Sequence, residues 1–194
     1  MRTCYFTFGR FNPPTIGHEK LLRTLEKQAA SNDYLIYPSQ TFKKPNNPLP
    51  YDYKVETMKK MFPWAKIETA ACCNTIIKVA QDMMMKDYSD IVMVVGSDRV
   101  ADFDKLLNKQ NTIDYTFNTI KVMSAGERDP DADGASGMSA SKMREAVKNG
   151  KTRNFMEGIP NTFSIQQKLE LMEEVRKGMG LYCLLYTSPS PRDS

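Results

Sequence analysis

"DIVMVVGSD" (90–98) holds five apolar residues in succession, Ile91 to Val95, and then ends in glycine, serine and aspartate. A strand with one wet face alternates apolar and polar residues. An unbroken apolar run suits a strand covered on both faces, as in the middle of a parallel sheet. Outward from it, strands and helices alternate. "CYFTFG" (4–9), "DYLIYPS" (33–39), the short "AKIETA" (65–70) and "NTIKVMSAG" (118–126) read as further strands. "GHEKLLRTLEKQA" (17–29) sets Leu21, Leu22 and Leu25 on one helical face, and "YKVETMKKMF" (53–62), "NTIIKVAQDMMMK" (74–86) and "DFDKLLNKQ" (102–110) also have helical spacing. "SASKMREAVKNG" (139–150), with a serine at its start and Gly150 at its end, and "SIQQKLELMEEVRKG" (164–178) add two more helices. This order predicts a Rossmann-like, doubly wound α/β fold: a mainly parallel five-stranded sheet with helices on both faces.

Residues 1–150 are read as that domain and 151–180 as a C-terminal helical extension. "LYCLLYTSPSPRDS" (181–194) shifts abruptly to Leu, Tyr, Ser and Pro and resembles translated sequencing-adapter sequence. It is expected to be a non-native tail, which would leave the native C-terminus outside this sequence.

The chain of 194 residues is 41% hydrophobic and 26% charged, ordinary for a globular protein that needs no disulfides. A net charge of +4 is too slight for a nucleic-acid binder but suits an anionic small molecule. The cysteines, Cys4, Cys72, Cys73 and Cys183, show no C-x-x-C spacing, and the adjacent pair cannot easily bridge. Reduced thiols and no protein-held metal are expected. No apolar stretch approaches the ~20 residues of a membrane helix, and Thr7, Gly9 and Arg10 interrupt any signal-peptide core. The expectation is a cytoplasmic protein without a membrane partner; homo-oligomerisation stays open.

In folds of this class ligands bind beyond the C-terminal ends of the strands, and unusual residues collect at three such places. In "FGRFNPPTIGH" (8–18), Gly9 allows close approach of a ligand, Pro13 and Pro14 stiffen the connection, and Thr15 and His18 share a face at a helix start. Helix N-termini attract anions, although a surface histidine on a capped helix accounts for the same residues. In "GMSASKMREAV" (137–147), the Ser139 and Ser141 hydroxyls, the first-turn N–H groups and the Lys142 and Arg144 charges would make a phosphate cradle. The plain alternative is a serine-capped helix with surface cations. In "VVGSDR" (94–99), Asp98 can accept from a ribose hydroxyl or substrate amide and Arg99 can meet a phosphate; an ordinary turn is the alternative.

"GRFNPPTIGH" (9–18) resembles the G-x-F-x-P-x-[HT]-x-G-H signature of the nucleotidylyltransferase superfamily, whose domain is cytidylyltransferase-like. The "GRF" opening is most similar to the nicotinamide-mononucleotide adenylyltransferase branch, small phage-encoded members included. Thr15 stands where the H-x-G-H form has its first histidine. "GMSASKMREAV" resembles the family's I-S-x-[ST]-x-[IVM]-R element and "VVGSDR" its G-[SA]-D element, so the resemblance spans roughly residues 1–150.

The resemblance implies attack by an acceptor oxygen on the α-phosphorus of a nucleoside triphosphate, with release of pyrophosphate and no nucleophilic side chain. His18 would contact the triphosphate with Thr15 in support, and Lys142 and Arg144 would neutralise its outer phosphates, assisted by Ser139 and Ser141. Phe8, Gly9, Arg10, Phe11, Asn12, Gly17, Gly96, Ser97 and Asp98 would complete the nucleotide site. Mg²⁺ held mainly by substrate phosphates is the implied cofactor. ATP is the favoured donor, and the acceptor is a phosphorylated small molecule, nicotinamide mononucleotide first among candidates. Lys43, Lys44, Arg99 and Arg128 are candidates for the acceptor phosphate, or ordinary solvated cations. A cytidylyltransferase, a phosphopantetheine adenylyltransferase-like enzyme and a non-catalytic nucleotide-binding module are the competing readings. A fragment of a class I aminoacyl-tRNA synthetase is a further one, against which the short chain and the "SASKMR" form count. "DPDADG" (129–134) lacks the closing glutamate of a calcium loop and reads as a mobile acidic loop, and Trp64, after Pro63, is expected in the core.

Overall fold

Strand β1 (Thr3–Gly9) pairs in parallel with β2 (Asp33–Pro38) on one side and β3 (Asp90–Val95) on the other. β4 (Thr119–Ser124) extends the sheet beyond β3, also in parallel, so that the order is β2-β1-β3-β4. These are the features of a computed structural model, in which residues 1–126 and 138–181 are described. The helices are α1 (Ile16–Ala29), α2 (Tyr51–Met61), α3 (Ile76–Met85), α4 (Val100–Gln110), α5 (Ala140–Lys148), α6 (Thr152–Glu157) and α7 (Ile165–Gly178).

Among the described residues the sheet has four strands, not five. The stretch 65–70 makes a single parallel bridge, Ile67 beside Ile36 at the outer edge of β2. The Ile36 N–H donates to the Lys66 carbonyl at 2.9 Å and the Glu68 N–H to the Ile36 carbonyl at 2.8 Å. The chain then turns, because the Glu68 carboxylate accepts from the N–H groups of Thr69 (2.8 Å) and Ala70 (3.2 Å). A side chain that captures its own following amides competes with a ladder.

The described chain divides into two packed units. The first, residues 1–9, 19–40 and 64–126, contains the sheet. Ile91 to Val95 are all buried, as their unbroken apolar run predicts. Cys4, Phe6, Ile91, Met93 and Val95 pack with Val79, Ala80 and Met83 of α3 and Leu107 of α4 in one apolar cluster. Trp64 is only half-buried, with the Arg23 guanidinium 3.5 Å above its ring and its carbonyl accepting from the Tyr34 hydroxyl. An indole flanked by Arg23 can be partly wet, so its expected core position is corrected.

The connection from β1 to β2 falls on one side of β1, while β3 and β4 lie on the other. The strand order therefore reverses between β1 and β3, the switch point at which open α/β sheets leave a crevice. The pairing of those strands ends at Phe6 with Met93. Gly9 and Gly96 lie three residues beyond, at the same edge of the sheet.

The second unit, residues 10–18, 41–63 and 138–181, contains α2, α5, α6 and α7. Ser164 and Gln167 form a reciprocal capping box that starts α7. At its end a Cβ on Gly178 would collide with the Pro48 backbone, so glycine lets the helix meet the 41–50 loop. Helix α6 lies at the start of the stretch read as a helical extension; its N-cap, Lys151, makes no side-chain cap.

Candidate active site

The first signature loop is held from several sides within the second unit. Phe11 is buried and adopts φ +47°, a left-handed conformation that costs a bulky residue energy and marks a backbone determined by its surroundings. Asn12 is fully buried: its Oδ1 accepts from the Leu49 N–H at 2.9 Å and its Nδ2 donates to the Leu49 carbonyl at 3.3 Å. Lys54 of α2, also fully buried, donates from Nζ to the Arg10 carbonyl at 2.7 Å. Burial lowers its pKa to about 8.

At the start of α1, Thr15 and His18 form a closed pair. The Thr15 N–H donates to His18 Nδ1 at 3.0 Å, and the His18 N–H donates back to Thr15 Oγ1 at 3.3 Å. A backbone N–H can only donate, so Nδ1 is the accepting nitrogen and the ring proton of the neutral imidazole sits on Nε2. The Phe11 ring stands edge-on to the imidazole, 4.9 Å between centroids. The Thr15 N–H and the Phe11 ring together fix which way the Nε2–H points.

The second signature meets the first at this point. Thr15 Oγ1 donates to the Met138 carbonyl at 2.9 Å. A Cβ at Gly17 would stand 2.9 Å from that same oxygen, so the glycine of the G-H pair permits the approach. Ser139 caps α5, its Oγ accepting from the Lys142 N–H at 3.2 Å. Arg144, one helical turn further, spans both motifs: Nη1 donates to the Asn12 carbonyl at 2.8 Å and Nη2 to Ser141 Oγ at 3.2 Å. Its pKa is lowered, first by burial and then by the charge of Arg10. Two guanidinium groups that repel each other beside a helix N-terminus form a site that an anion would stabilise.

A cavity of about 520 Å³ opens on this face of α5, lined by Ser141, Arg144, Glu145 and Lys148 with Pro45 and Asn46 across it. Lys148 is a site cation that the motifs do not cover; its signal is the i, i+4 spacing from Arg144. Lys54 carried no local signal, because its role depends on a carbonyl distant in sequence. Lys43 and Lys44 are exposed on the loop that carries Pro45 and do not line the cavity.

The remaining predicted residues belong to the sheet unit. Phe8 packs against its core, and Gly9 ends β1, its carbonyl accepting from the Ser39 N–H at 2.7 Å. Gly96 leads into a 3₁₀ turn, Ser97–Arg99, in which Asp98 is exposed and the Arg99 guanidinium lies 5.3 Å from the Phe103 ring centroid. Arg128, "DPDADG" and the 182–194 tail lie outside the described residues.

Residues 6–146 match the family described as cytidylyltransferase-like. No curated protein matches the chain. Among solved structures, it is similar to a putative nicotinate-nucleotide adenylyltransferase from Vibrio parahaemolyticus, with a TM-score of 0.53 and 19% identity over 87% of this chain and 99% of that one. It is also similar to the nicotinic acid mononucleotide adenylyltransferase of Plasmodium falciparum complexed with NaAD (TM-score 0.56, 14% identity, 89% of this chain and 98% of that one). A bifunctional NMN adenylyltransferase/ADP ribose pyrophosphatase from Francisella tularensis gives a TM-score of 0.54 at 14% identity, over 96% of this chain and 55% of that one. At these identities the likeness is one of fold. The match contains the first signature, the second through Ala146, and the switch-point glycines.

Proposed function

We propose, for a chain that belongs to the cytidylyltransferase-like family, that it transfers an adenylyl group from ATP to a phosphorylated small molecule and releases pyrophosphate. Nicotinamide mononucleotide or its nicotinate analogue is the first acceptor to try, since the structural neighbours include enzymes named for those acceptors. The observation that carries the reading is the junction of the two signatures: Thr15 on the Met138 carbonyl and Arg144 on the Asn12 carbonyl, with His18 Nε2–H and two guanidinium groups gathered around it.

In this mechanism the acceptor phosphate is itself the nucleophile. The protein positions the two substrates and stabilises charge. His18 donates from Nε2 to a phosphate oxygen as negative charge grows there. Arg144 and Lys142 hold the outer phosphates and stabilise the departing pyrophosphate. Gly96, Ser97 and Asp98 serve the nucleoside, and Arg10 the triphosphate. Lys43, Lys44, Arg99 and Arg128 remain the candidate grips on the acceptor phosphate.

The junction offers hydroxyls, amides and cations, and the one group of three metal-ligating side chains among the described residues, Cys72, Cys73 and Asp82, is made of other residues. Such a donor set fits Mg²⁺ delivered on the triphosphate and held by phosphate oxygens and water. When bound, the ion supplies charge neutralisation of those oxygens.

The test is to incubate the full chain with ATP, Mg²⁺ and each mononucleotide, measuring dinucleotide and pyrophosphate together. Equimolar formation of both supports the proposal. Preference for CTP at equal concentration would replace the adenylyl reading with a cytidylyl one. Nucleotide binding without turnover across a panel of phosphorylated acceptors would support the non-catalytic module.

A further inference from the structure

The loop before α3 carries two adjacent cysteines with their sulfurs 3.4 Å apart, Cys72 exposed and Cys73 buried. Helix α3 adds a third group. The two sulfurs and a carboxylate oxygen of Asp82 lie within 4.8 Å of one another. Sequence spacing argues against a metal site because no C-x-x-C occurs, but the fold supplies the missing ligand from a helix.

We propose that Cys72, Cys73 and Asp82 form a binding site for a thiophilic divalent cation of the zinc class, with a water in the fourth position. In tetrahedral zinc sites, sulfurs bound at about 2.3 Å lie roughly 3.8 Å from each other. The observed pair needs to open by only a few tenths of an ångström, and the exposed side chain of Cys72 has room to do so.

The surroundings hold the ligands in place. The Tyr37 hydroxyl donates to Asp82 Oδ2 at 2.8 Å and Lys86 Nζ donates to the same oxygen at 2.7 Å, so neither bond uses Oδ1. Outer partners that orient a ligating carboxylate commonly support metal sites. The loop itself is tied down. Glu68 accepts from the amides of Thr69 and Ala70, Gln40 Nε2 donates to the Ala70 carbonyl at 3.1 Å, and the Cys73 N–H donates to that carbonyl at 3.1 Å.

Lys86 is the opposing charge, but it is shared with a second carboxylate, Glu68, at 2.7 Å. With the ion bound, two thiolates and two carboxylates would face one ammonium and one dication. Two sulfur ligands discriminate against Mg²⁺ and Ca²⁺, which prefer oxygen. This site is therefore independent of any ion carried by a triphosphate.

The experiment titrates the reduced, metal-free full chain with Zn²⁺ in competition with a chromophoric chelator. A parallel titration uses Cd²⁺, followed by its thiolate charge-transfer absorption. The proposal expects one equivalent bound, with the absorption band present and no competition from excess Mg²⁺. Cys72→Ser, at an exposed position, removes the band and weakens Zn²⁺ at least ~10-fold, and Asp82→Asn weakens it by about 10-fold or more. Cys4→Ser and Cys183→Ser leave both signals unchanged. Absence of stoichiometric uptake in the wild type, or uptake of undiminished affinity in Cys72→Ser, overturns the site. A thermal melt of Cys72→Ser matching that of the metal-free wild type ties any loss to the ligand and not to unfolding.

Discussion

Arg144 Nη1 holds the carbonyl oxygen of Asn12 at 2.8 Å across 132 positions of sequence. That bond, with the one from Thr15 to the Met138 carbonyl, joins the two signature motifs, and the same guanidinium reaches Ser141 with its other nitrogen. A phosphate arriving there meets a cation whose direction is already set. Pre-orientation is worth more in such a site than charge alone.

Arg144→Lys keeps the charge and loses the fork. Turnover is expected to fall by ~10²-fold, the scale for one preorganised donor, with the larger part in kcat and not in KM. Steady-state kinetics with the triphosphate varied measures this split. A lysine variant with wild-type kcat would remove Arg144 from the reacting centre.

His18→Ala removes the Nε2–H that Thr15 orients. The expected loss is at least ~10²-fold in kcat, while triphosphate affinity changes much less. Isothermal titration with a non-hydrolysable ATP analogue reads the binding side of this prediction. A large loss of affinity with little loss of kcat would assign His18 to ground-state binding.

Thr15→Val, at a buried position, leaves the part-buried Met138 carbonyl without its 2.9 Å donor. The expected loss is up to about 1 kcal/mol, the low end for an unsatisfied acceptor, and denaturant unfolding of the two proteins reads the difference directly. Gly17→Ala attacks the same contact by volume, since its Cβ would meet the Met138 oxygen at 2.9 Å. Activity is expected to drop more than stability in that variant.

Lys54 provides a pH test. Its folded pKa, about 8, is below the ordinary lysine value of 10.5, because burial disfavours the ammonium. The unfolded chain therefore binds more protons between pH 8 and 10.5, and stability rises with pH through that window. Below it, the buried charge costs up to about 3 kcal/mol. Lys54→Met removes the titration. The stability of wild type relative to this variant should increase on going from pH 7.5 to 10 by a few kcal/mol at most, as chemical denaturation at the two pH values will report. A difference independent of pH would show that the ammonium is not desolvated.

The sheet was legible where burial is two-sided: the run from Ile91 to Val95 has no polar interruption, and all five residues are buried. The stretch 65–70 misled because its apolar and β-branched residues mimic a strand, whereas the Glu68 side chain turns the backbone after one bridge. In the candidate site, Thr15, His18 and Arg144 stand out within their motifs, whereas the bonds that bring the motifs together span more than 120 positions. The contacts of Asn12 with Leu49 and of Lys54 with Arg10 could not be read from the sequence, since each joins a side chain to a backbone group distant in sequence. A lysine on a helix reads as a surface cation until the packing around it is known.

The N–H of Ile16, at the head of α1, donates to the carbonyl of Gly158 at 2.9 Å. During synthesis the first of these residues leaves the ribosome long before the second exists. At 5–20 residues per second the interval is roughly 7–30 s. For that time the nascent chain carries a phosphate loop without the partner that completes its first turn. The first turn of α1 therefore acquires this carbonyl only late in translation, when the C-terminal helices emerge.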